Sequence, residues 1–418
     1  MINTVSTSVS DHVSHQRLND RITEMACLGA TAQGGVNRQA LSAEDAQAQI
    51  LLTRWSTALG MMVSRDPIGN LFLRLEGADP SLSPVMTGSH MDTQPTGGRY
   101  DGIYGVMASL EAVQALQDAG FKPKRAIEVV AWVNEEGSRF APSLMGSGVH
   151  AGARSLTEAL ALRDTAGVSV QEALQQIEPL LAHIPKRSLS SPAHCYVEAH
   201  IEQGPILERE GLSIGVVTGI QGKHTYRVTV IGDAAHAGTA PHRERKDALL
   251  AATAMVQSLS RTFFDEQDIT RFTVGRFSVA PNAPSVVPNE VVFSIDLRHP
   301  NAEKLEQLSN QVSILCQDLA APCSVHIERL YTSAPIEFSE PMQKIIAAAA
   351  LQLNLPQRPI LSAAGHDAGL MHRVCPTGML FIPSIGGVTH NEAEFSRPED
   401  LTSGARVLAN VLAHLAGH

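Results

Sequence analysis

Several acidic and imidazole side chains directly follow apolar runs of the kind that form buried strands. The run at residues 84–87 ends shortly before His90, and the run at 126–133 ends shortly before Glu135. Such runs are typical of the inner strands of an α/β sheet, whose carboxyl ends form the usual ligand-binding edge. The pattern therefore predicts an α/β fold in which these side chains share one site.

The candidate site residues are histidines and acids in short motifs that often contain glycine. They are His90, Asp92, Asp101, Glu135, Glu136, His200 and His390. Each one alone is more often a turn, surface or hydrogen-bonded core residue than a ligand. Because all of them occur together in one chain, we interpret them as the site of a two-metal hydrolase.

Two divalent ions a few ångströms apart need one carboxylate that can bridge them, with imidazoles and carboxylates binding each ion from its outer side. Asp101 is the candidate bridge. His90 and Asp92 stand two positions apart, so their side chains point the same way on extended backbone. We therefore expect the Asp92 carboxylate to hold the far imidazole nitrogen of His90, and we count Asp92 among the catalytic residues.

The adjacent glutamates should divide two roles between them. Successive side chains on extended backbone diverge, so only one of the pair can easily bind an ion. We assign Glu136 as the ligand. Glu135 is then available as the general base that takes a proton from the attacking water and returns it to the leaving nitrogen.

Four phrases of the chain carry a resemblance to a known family. They lie at residues 88–93, 134–140, 200–205 and 236–241, and contain His90, Glu135, His200 and His236. With the order of the other acids and histidines, they resemble the hydantoinase/carbamoylase branch of the M20 metallohydrolases. That branch includes N-carbamoyl-L-amino acid hydrolases, β-ureidopropionases and allantoate amidohydrolases. The resemblance runs from about residue 15 to the C-terminus.

The resemblance implies a set of metal ligands and a general base. The ligands would be His90, Asp101, Glu136, His200 and His390, with Asp101 bridging and Glu135 as the base. The cofactors would be two divalent ions per chain, and the ligand types fit zinc, manganese, cobalt or nickel. Related dipeptidases and deacylases usually carry an acid where this chain has His200, so the histidine favours cleavage of ureido groups.

The resemblance also implies residues that contact the substrate, namely Gln203, His236, Arg298 and His366. The planar fork of Arg298 suits bidentate binding of a substrate carboxylate. His236 would stabilise the developing oxyanion. The chain departs from the family at Ser285, where carbamoylases commonly carry an asparagine that helps to hold the carboxylate. Either the carboxylate binds differently here, or the nearby Asn282 takes that role.

We predict two domains. Residues 1–216 and 331–418 form the two-metal catalytic α/β domain, and residues 217–330 form an inserted α/β sandwich that serves as lid and dimerisation domain. His236 and Arg298 belong to the insert, so closing of the lid would complete the site. The predicted elements of the catalytic domain are a helix from Ser42 to Gly60, a helix at 103–119, a strand at 126–133, helical pieces in 155–180 and a strand at 194–200. Those of the insert are strands at 224–230, 271–279, 290–297 and 323–329 and helices at 246–259 and 303–319.

Composition excludes several classes of partner. The 42 acidic and 32 basic residues give a formal charge of −10, which argues against binding to nucleic acid or an anionic membrane. No apolar run approaches the roughly 20 residues that span a bilayer. Residues 1–6 lack the basic start and apolar core of a secretory signal, and the five cysteines are odd in number without metal-type spacing. These features predict a cytoplasmic protein. We also expect a homodimer formed through the insert.

The predicted activity is hydrolysis of a ureido carbon–nitrogen bond in a small substrate that bears a carboxylate. N-carbamoyl-L-amino acids are the first candidate and would give the amino acid, carbon dioxide and ammonia. Allantoate and β-ureidopropionate are alternatives, because each offers a ureido group and a carboxylate. An aminoacylase or dipeptidase of the same family is a more distant alternative, which His200 and Gln203 disfavour. A binding protein without activity would be favoured had Glu135 or a ligand been lost.

Overall fold

The computed structural model describes residues 9–189 and 192–418. The predicted absence of a secretory signal concerns residues 1–6, which lie outside the described residues. The described chain divides into two compact units, one formed by residues up to Thr218 with Phe338–His418, and the other by Gly219–Glu337. These boundaries, after Thr218 and after Glu337, lie later than 216 and 330.

The strands alternate with helices along much of the chain. In chain order the strands are β1 (Met62–Arg65), β2 (Leu71–Leu75), β3 (Val85–His90), β4 (Ile127–Trp132), β5 (Cys195–Ile201), β6 (Ile214–Ile220), β7 (Gly222–Ile231), β8 (Ala235–His236), β9 (Arg271–Thr273), β10 (Phe277–Ala280), β11 (Val286–Val287), β12 (Glu290–His299), β13 (Ser324–Ser333), β14 (Ile336–Glu337), β15 (Gln357–Ser362) and β16 (Thr377–Ile382).

The helices are, in the same order, α1 (His15–Ala26), α2 (Ala43–Ala58), α3 (Ile103–Asp118), α4 (Met145–His150), α5 (Leu156–Ala161), α6 (Val170–Leu181), α7 (Ile206–Glu210), α8 (Ala248–Thr262), α9 (Ala302–Asp318), α10 (Glu340–Gln352), α11 (Ala368–Met371) and α12 (Pro398–Ala416). The helix predicted from Ser42 is confirmed: the Ser42 side chain accepts a hydrogen bond from the Asp45 N–H and caps α2.

The first unit is built on a mixed sheet with the order β1-β2-β4-β3-β5-β16-β6-β14. The four strands β4, β3, β5 and β16 are parallel neighbours at its centre. Every residue of these four strands is buried. Burial on both faces agrees with the many apolar residues in these strands, and the parallel pairing brings their carboxyl ends to one edge.

The second unit contains the antiparallel sheet β10-β12-β7-β13, with β9 also paired to β12, and the helices α8 and α9. Buried residues alternate with more exposed ones along β7 and β12, so one face of this sheet packs on a separate apolar core. The α/β fold class is confirmed. No helix among the residues that the structure describes is long and apolar enough to cross a membrane.

The prediction of a single strand at residues 271–279 of the insert is wrong in detail. Residues 271–279 form two short strands, β9 and β10, rather than one, although both pair with β12. Thr273 pairs with Asp296, and Phe277 pairs with Phe293. The chain therefore advances four residues from β9 to β10 where the partner β12 advances only three. This extra residue is the signature of a β-bulge, which interrupts the ladder.

Candidate metal centre

The candidate ligands lie where the sheet topology brings strand ends together. His90 is the last residue of β3, His200 lies near the end of β5, and Glu135 follows β4. Asp101 lies in the turn before α3, and His390 in the loop after β16. All of them therefore lie at the carboxyl edge of the central strands or in loops that reach it.

Asp101 lies between two groups of candidate ligands. Its Oδ1 is 3.3 Å from His200 Nε2 and 3.7 Å from His90 Nε2. Its Oδ2 is 3.3 Å from His390 Nε2, which is 3.4 Å from Glu136 Oε2. Within each group, His90–Asp101–His200 and Asp101–Glu136–His390, the ligand atoms lie within 4.8 Å of one another. One carboxylate shared by two such groups is the arrangement that two ions require.

The hydrogen bonds of His90 and His200 leave the right nitrogen for a metal ion. Nδ1 of His90 is 2.9 Å from the Asp92 carbonyl, and Nδ1 of His200 is 2.9 Å from the Ile201 carbonyl. A carbonyl oxygen can only accept, so Nδ1 carries the proton in both rings. Nε2 of each ring therefore faces Asp101, where it can carry a second proton or, in the neutral ring, bind a metal ion.

Asp92 does not make the contact predicted for its carboxylate. The Asp92 Oδ1 is 3.9 Å from the His90 imidazole, whereas its two oxygens accept from the N–H groups of Glu135 (3.0 Å) and Glu136 (3.2 Å). The prediction was wrong because the backbone carbonyl of Asp92, and not its carboxylate, accepts the hydrogen bond from His90 Nδ1. The carboxylate instead fixes the turn that carries both glutamates.

The two glutamates lie in different surroundings. Glu136 accepts a hydrogen bond from Gln94 Nε2 at 2.8 Å and belongs to one ligand group. Glu135 Oε2 lies 3.5 Å from His90 Nε2, and Glu135 belongs to neither group. Burial, and secondly the neighbouring charge of Asp367, raise the pKa of Glu135 well above its usual value. A carboxylate of raised pKa beside the cluster is suited to take up a proton.

The charges of the cluster favour a cation next to Asp101. Burial, the largest single influence, lowers the pKa of His200, but the hydrogen bond to Asp101 and the negative charges of Asp101 and Glu198 together outweigh it and raise this pKa to about 9. The hydrogen bond to Asp101 likewise raises the pKa of His390 to about 9. Although burial opposes it, contact with these two rings holds the pKa of Asp101 well below its usual value. The protons held by His200 and His390 beside Asp101 lie where metal ions could bind instead. The nitrogen and carboxylate donors fit such ions.

Two residues predicted to contact substrate lie in the same cluster. Gln203 Nε2 donates to Asp101 Oδ2 at 2.9 Å. The His366 ring packs against the His200 ring at a centroid distance of 4.6 Å, and its Nε2 is 2.9 Å from Ser362 Oγ. Burial lowers the pKa of His366 well below its usual value, so this ring is neutral.

The other predicted substrate residues, His236, Asn282, Ser285 and Arg298, belong to the second unit. His236 on β8 pairs with β11, which follows Ser285, and the Ser285 carbonyl accepts from the Ala237 N–H at 3.0 Å. Nδ1 of His236 accepts from the N–H groups of Gly238 and Thr239, so in the neutral ring Nε2 carries the proton and can donate.

Arg298 already holds a carboxylate within its own unit. Its Nε is 2.8 Å from Asp296 Oδ1, and its Nη2 is 3.2 Å from Asp296 Oδ2. Lys223 Nζ lies 3.0 Å from the same Asp296 Oδ2. A substrate carboxylate would therefore have to share or displace this contact.

Glu198 also belongs to the cluster, although it was assigned no role from the sequence. Glu198 lies two positions before His200 on β5 and accepts from Ser89 Oγ at 2.7 Å and from the Ala368 N–H at 2.8 Å. With His200 and His366 it forms a third group of close donor atoms. Its two-residue spacing from His200 was a usable signal, because alternate strand residues share a face.

Gly102 explains how α3 can begin directly beside the cluster. Its φ is +66°, and a Cβ atom at this position would lie 2.3–2.4 Å from three atoms of the His90 ring. Its N–H points at His200 Nε2 at 3.2 Å. Only glycine combines this backbone conformation with so close an approach.

The family model of peptidase family M20/M25/M40 matches residues 86–414, which span all of these side chains. The chain belongs to this family. Over 409 residues, this M20 chain is 38% identical to an N-carbamoyl-L-amino-acid amidohydrolase of Rhizobium meliloti, with 97% of each chain covered. It is 35% identical to an allantoate amidohydrolase of Bacillus subtilis, over 96% of this chain and 97% of that one.

A solved structure of a hydantoinase/carbamoylase family amidase from Burkholderia multivorans matches the M20 chain with a TM-score of 0.91. The two sequences are 40% identical, and the match covers 97% of this chain and 98% of the other. The resemblance drawn from the sequence motifs is confirmed, and so is the prediction of a hydrolytic enzyme. The M20 family is metal-dependent, and the structure supplies candidate ligand groups.

Proposed function

We propose that this M20 hydrolase cleaves the carbon–nitrogen bond of a ureido group in a small carboxylate-bearing substrate, with N-carbamoyl-L-amino acids as the first candidates. The main support is similarity over nearly the whole chain to proteins named N-carbamoyl-L-amino-acid and allantoate amidohydrolases. The presence of every candidate ligand and of Glu135 supports a working enzyme.

The proposed cofactors are two divalent ions that share Asp101. One ion would be held by His90, His200 and Asp101, and the other by Glu136, His390 and Asp101. The nitrogen and oxygen donors fit zinc, manganese, cobalt or nickel. Such ions supply Lewis-acid chemistry, because they polarise a carbonyl oxygen and make water a stronger nucleophile.

Glu135 moves the proton in the proposed reaction. As water adds to the carbamoyl carbon, the carboxylate takes one proton from it. The protonated Glu135 then donates this proton to the departing nitrogen as the carbon–nitrogen bond breaks. The amino acid leaves, and the carbamate that remains decomposes to carbon dioxide and ammonia.

Residues of the second unit would bind the substrate. His236 has a protonated Nε2 in its neutral form, which suits stabilisation of the oxyanion. Arg298 would bind the substrate carboxylate through its planar fork, with Ser285 or Asn282 beside it. Gln203 and His366 of the first unit would contact the ureido end.

The test is an ammonia-release assay of metal-loaded protein. The panel contains N-carbamoyl-L-amino acids, β-ureidopropionate and allantoate, with an N-acetyl amino acid and a dipeptide as controls. We expect the highest kcat/KM on an N-carbamoyl-L-amino acid. A preference for allantoate or β-ureidopropionate would reassign the substrate within the ureido class. Hydrolysis of the controls alone, measured as free amine, would contradict the ureido proposal.

We further propose that the protein is a cytoplasmic homodimer joined through the second unit. Large apolar side chains are exposed there, including Phe264 at 75% and Tyr331 at 50%. Analytical ultracentrifugation of the wild type and of Phe264→Asp tests this. A monomeric wild type would refute the dimer.

A further inference from the structure

The two candidate ligand groups are held in different ways. His90 and His200 lie at the ends of buried strands. His390 lies in a loop, its side chain is 48% exposed, and its φ is +51°. Non-glycine residues keep this conformation only where their surroundings hold it. The loop that carries His390 therefore needs a specific anchor.

Glu394 provides that anchor. Its Oε1 accepts hydrogen bonds from the N–H groups of Tyr100 and Asp101, both at 3.0 Å. Its Oε2 accepts from Thr389 Oγ1 at 3.1 Å. Glu394 is 4% exposed, so the contacts are shielded from water. A single carboxylate thus joins the backbone of the bridging residue to the residue next to His390.

The packing around Glu394 leaves its carboxylate little freedom. A Cβ atom at Gly98 would lie 2.1 Å from Oε1 and 2.4 Å from Cβ of Glu394. The chain therefore approaches the glutamate as closely as a glycine permits. The N–H of Glu394 also donates to the Asn391 carbonyl at 3.0 Å, which closes the loop on itself.

Thr389 links this anchor to the bridging carboxylate. Its hydroxyl lies 3.1 Å from Glu394 Oε2 and 3.2 Å from Asp101 Oδ2, but it has one proton and can donate to only one of them. Gln203 supplies a separate donor to Asp101 Oδ2. When Oδ2 binds an ion, the Thr389 proton can turn to Glu394 Oε2, so the hydroxyl keeps an acceptor.

We propose that Glu394, acting with Thr389, is a positioning residue that assembles the loop-borne half of the metal centre, formed by Asp101 Oδ2, Glu136 and His390. The inference rests on the proposed metal centre but not on the identity of the substrate. It implies that loss of Glu394 weakens one ion far more than the other. A merely structural residue would weaken both ions alike.

The experiment measures metal binding rather than turnover. Protein stripped with a chelator is titrated with Co²⁺, followed by calorimetry and by visible absorption, for the wild type and for Glu394→Ala and Glu394→Gln. In Glu394→Ala we expect one ion to lose roughly 10–100-fold in affinity, the range for a residue that orients a ligand, while the other changes by less than about threefold. Glu394→Gln keeps one acceptor oxygen and should lie between.

Two more variants separate positioning from folding. Glu392→Gln is the matched control, since Glu392 lies in the same loop but accepts from the Thr31 hydroxyl instead, and it should bind both ions like the wild type. Thr389→Val removes only the hydroxyl, so it tests the link even if Glu394→Ala does not fold. We expect it to weaken, by roughly tenfold, the same ion that Glu394→Ala weakens.

The outcomes distinguish the two proposals. If the wild type binds two ions and the folded Glu394 and Thr389 variants bind both equally well, or lose both alike, the positioning role is refuted while the metal centre stands. A loss in Glu392→Gln as large as in Glu394→Ala also refutes it. If the wild type binds no second ion, the two-metal proposal itself fails, and this inference fails with it.

Discussion

Three candidate ligands of the first unit, His90, His200 and Asp101, are held differently from Arg298, a candidate substrate residue of the second unit. His90, His200 and Asp101 are at most 5% exposed and contact one another. Arg298 is 28% exposed at its side chain and contacts Asp296, a residue of its own strand. A buried cluster fixes geometry, whereas a partly exposed residue can change partner. We infer that the buried group His90–Asp101–His200 is preformed, and we propose that residues of the second unit contribute to substrate choice.

Removal of the Asp101 carboxylate should have the largest effect on the candidate metal centre. Asp101→Ala would leave both ligand groups without their shared carboxylate, so two cations would face each other without an anion between them. We expect binding of the second ion to collapse and turnover to fall to background. Elemental analysis of the dialysed variant is the measurement. Two tightly held ions per chain would rule out Asp101 as the bridge.

Removal of the candidate base, Glu135, should lower the reaction rate and leave metal binding intact. In Glu135→Gln the amide cannot accept a proton, so kcat should fall by roughly 10²–10⁴-fold. The metal content should match the wild type, because Glu135 lies outside both ligand groups. If the variant instead loses metal, the two adjacent glutamates are assigned the wrong way round.

Substitution of Arg298 in the second unit should affect substrate binding and leave the metal content unchanged. Arg298→Ala should cost ~2–4 kcal/mol in kcat/KM on carboxylate-bearing substrates, as expected for loss of a charge-assisted contact. The matched control is Arg227→Ala on neighbouring β7, where the arginine pairs with Glu328. Unchanged kinetics in Arg298→Ala, or an equal loss in the control, would remove Arg298 from the substrate site.

The smallest effect should come from Ser285. The asparagine in Ser285→Asn offers an amide where the hydroxyl offers one donor, and one hydrogen bond contributes about 1 kcal/mol, or about fivefold in kcat/KM. If serine only replaces asparagine, activity on N-carbamoyl-L-amino acids should persist or rise. Weaker activity on these, with allantoate or β-ureidopropionate now preferred, would mean that Ser285 has reshaped the subsite.

The fold and the cluster were predictable because their signals are local. Apolar runs predicted three of the four central strands, β3, β4 and β5 but not β16, and parallel strands bring the residues at their ends together. The contact of Glu394 with Asp101 joins residues 293 positions apart in the chain, so no local pattern predicts it. The partner of Asp92 depended on how the turn after β4 meets the end of β3. Likewise, the bulge between β9 and β10 depends on pairing with β12.

Gly102 sets a limit for anyone who wishes to engineer this enzyme. Any side chain there would collide with the His90 ring, so a randomised library at this position should return glycine alone among active clones. If residues of the second unit bind the substrate as proposed, variation aimed at new substrates is better directed at those residues. The metal centre can then be kept as a constant part while specificity is altered.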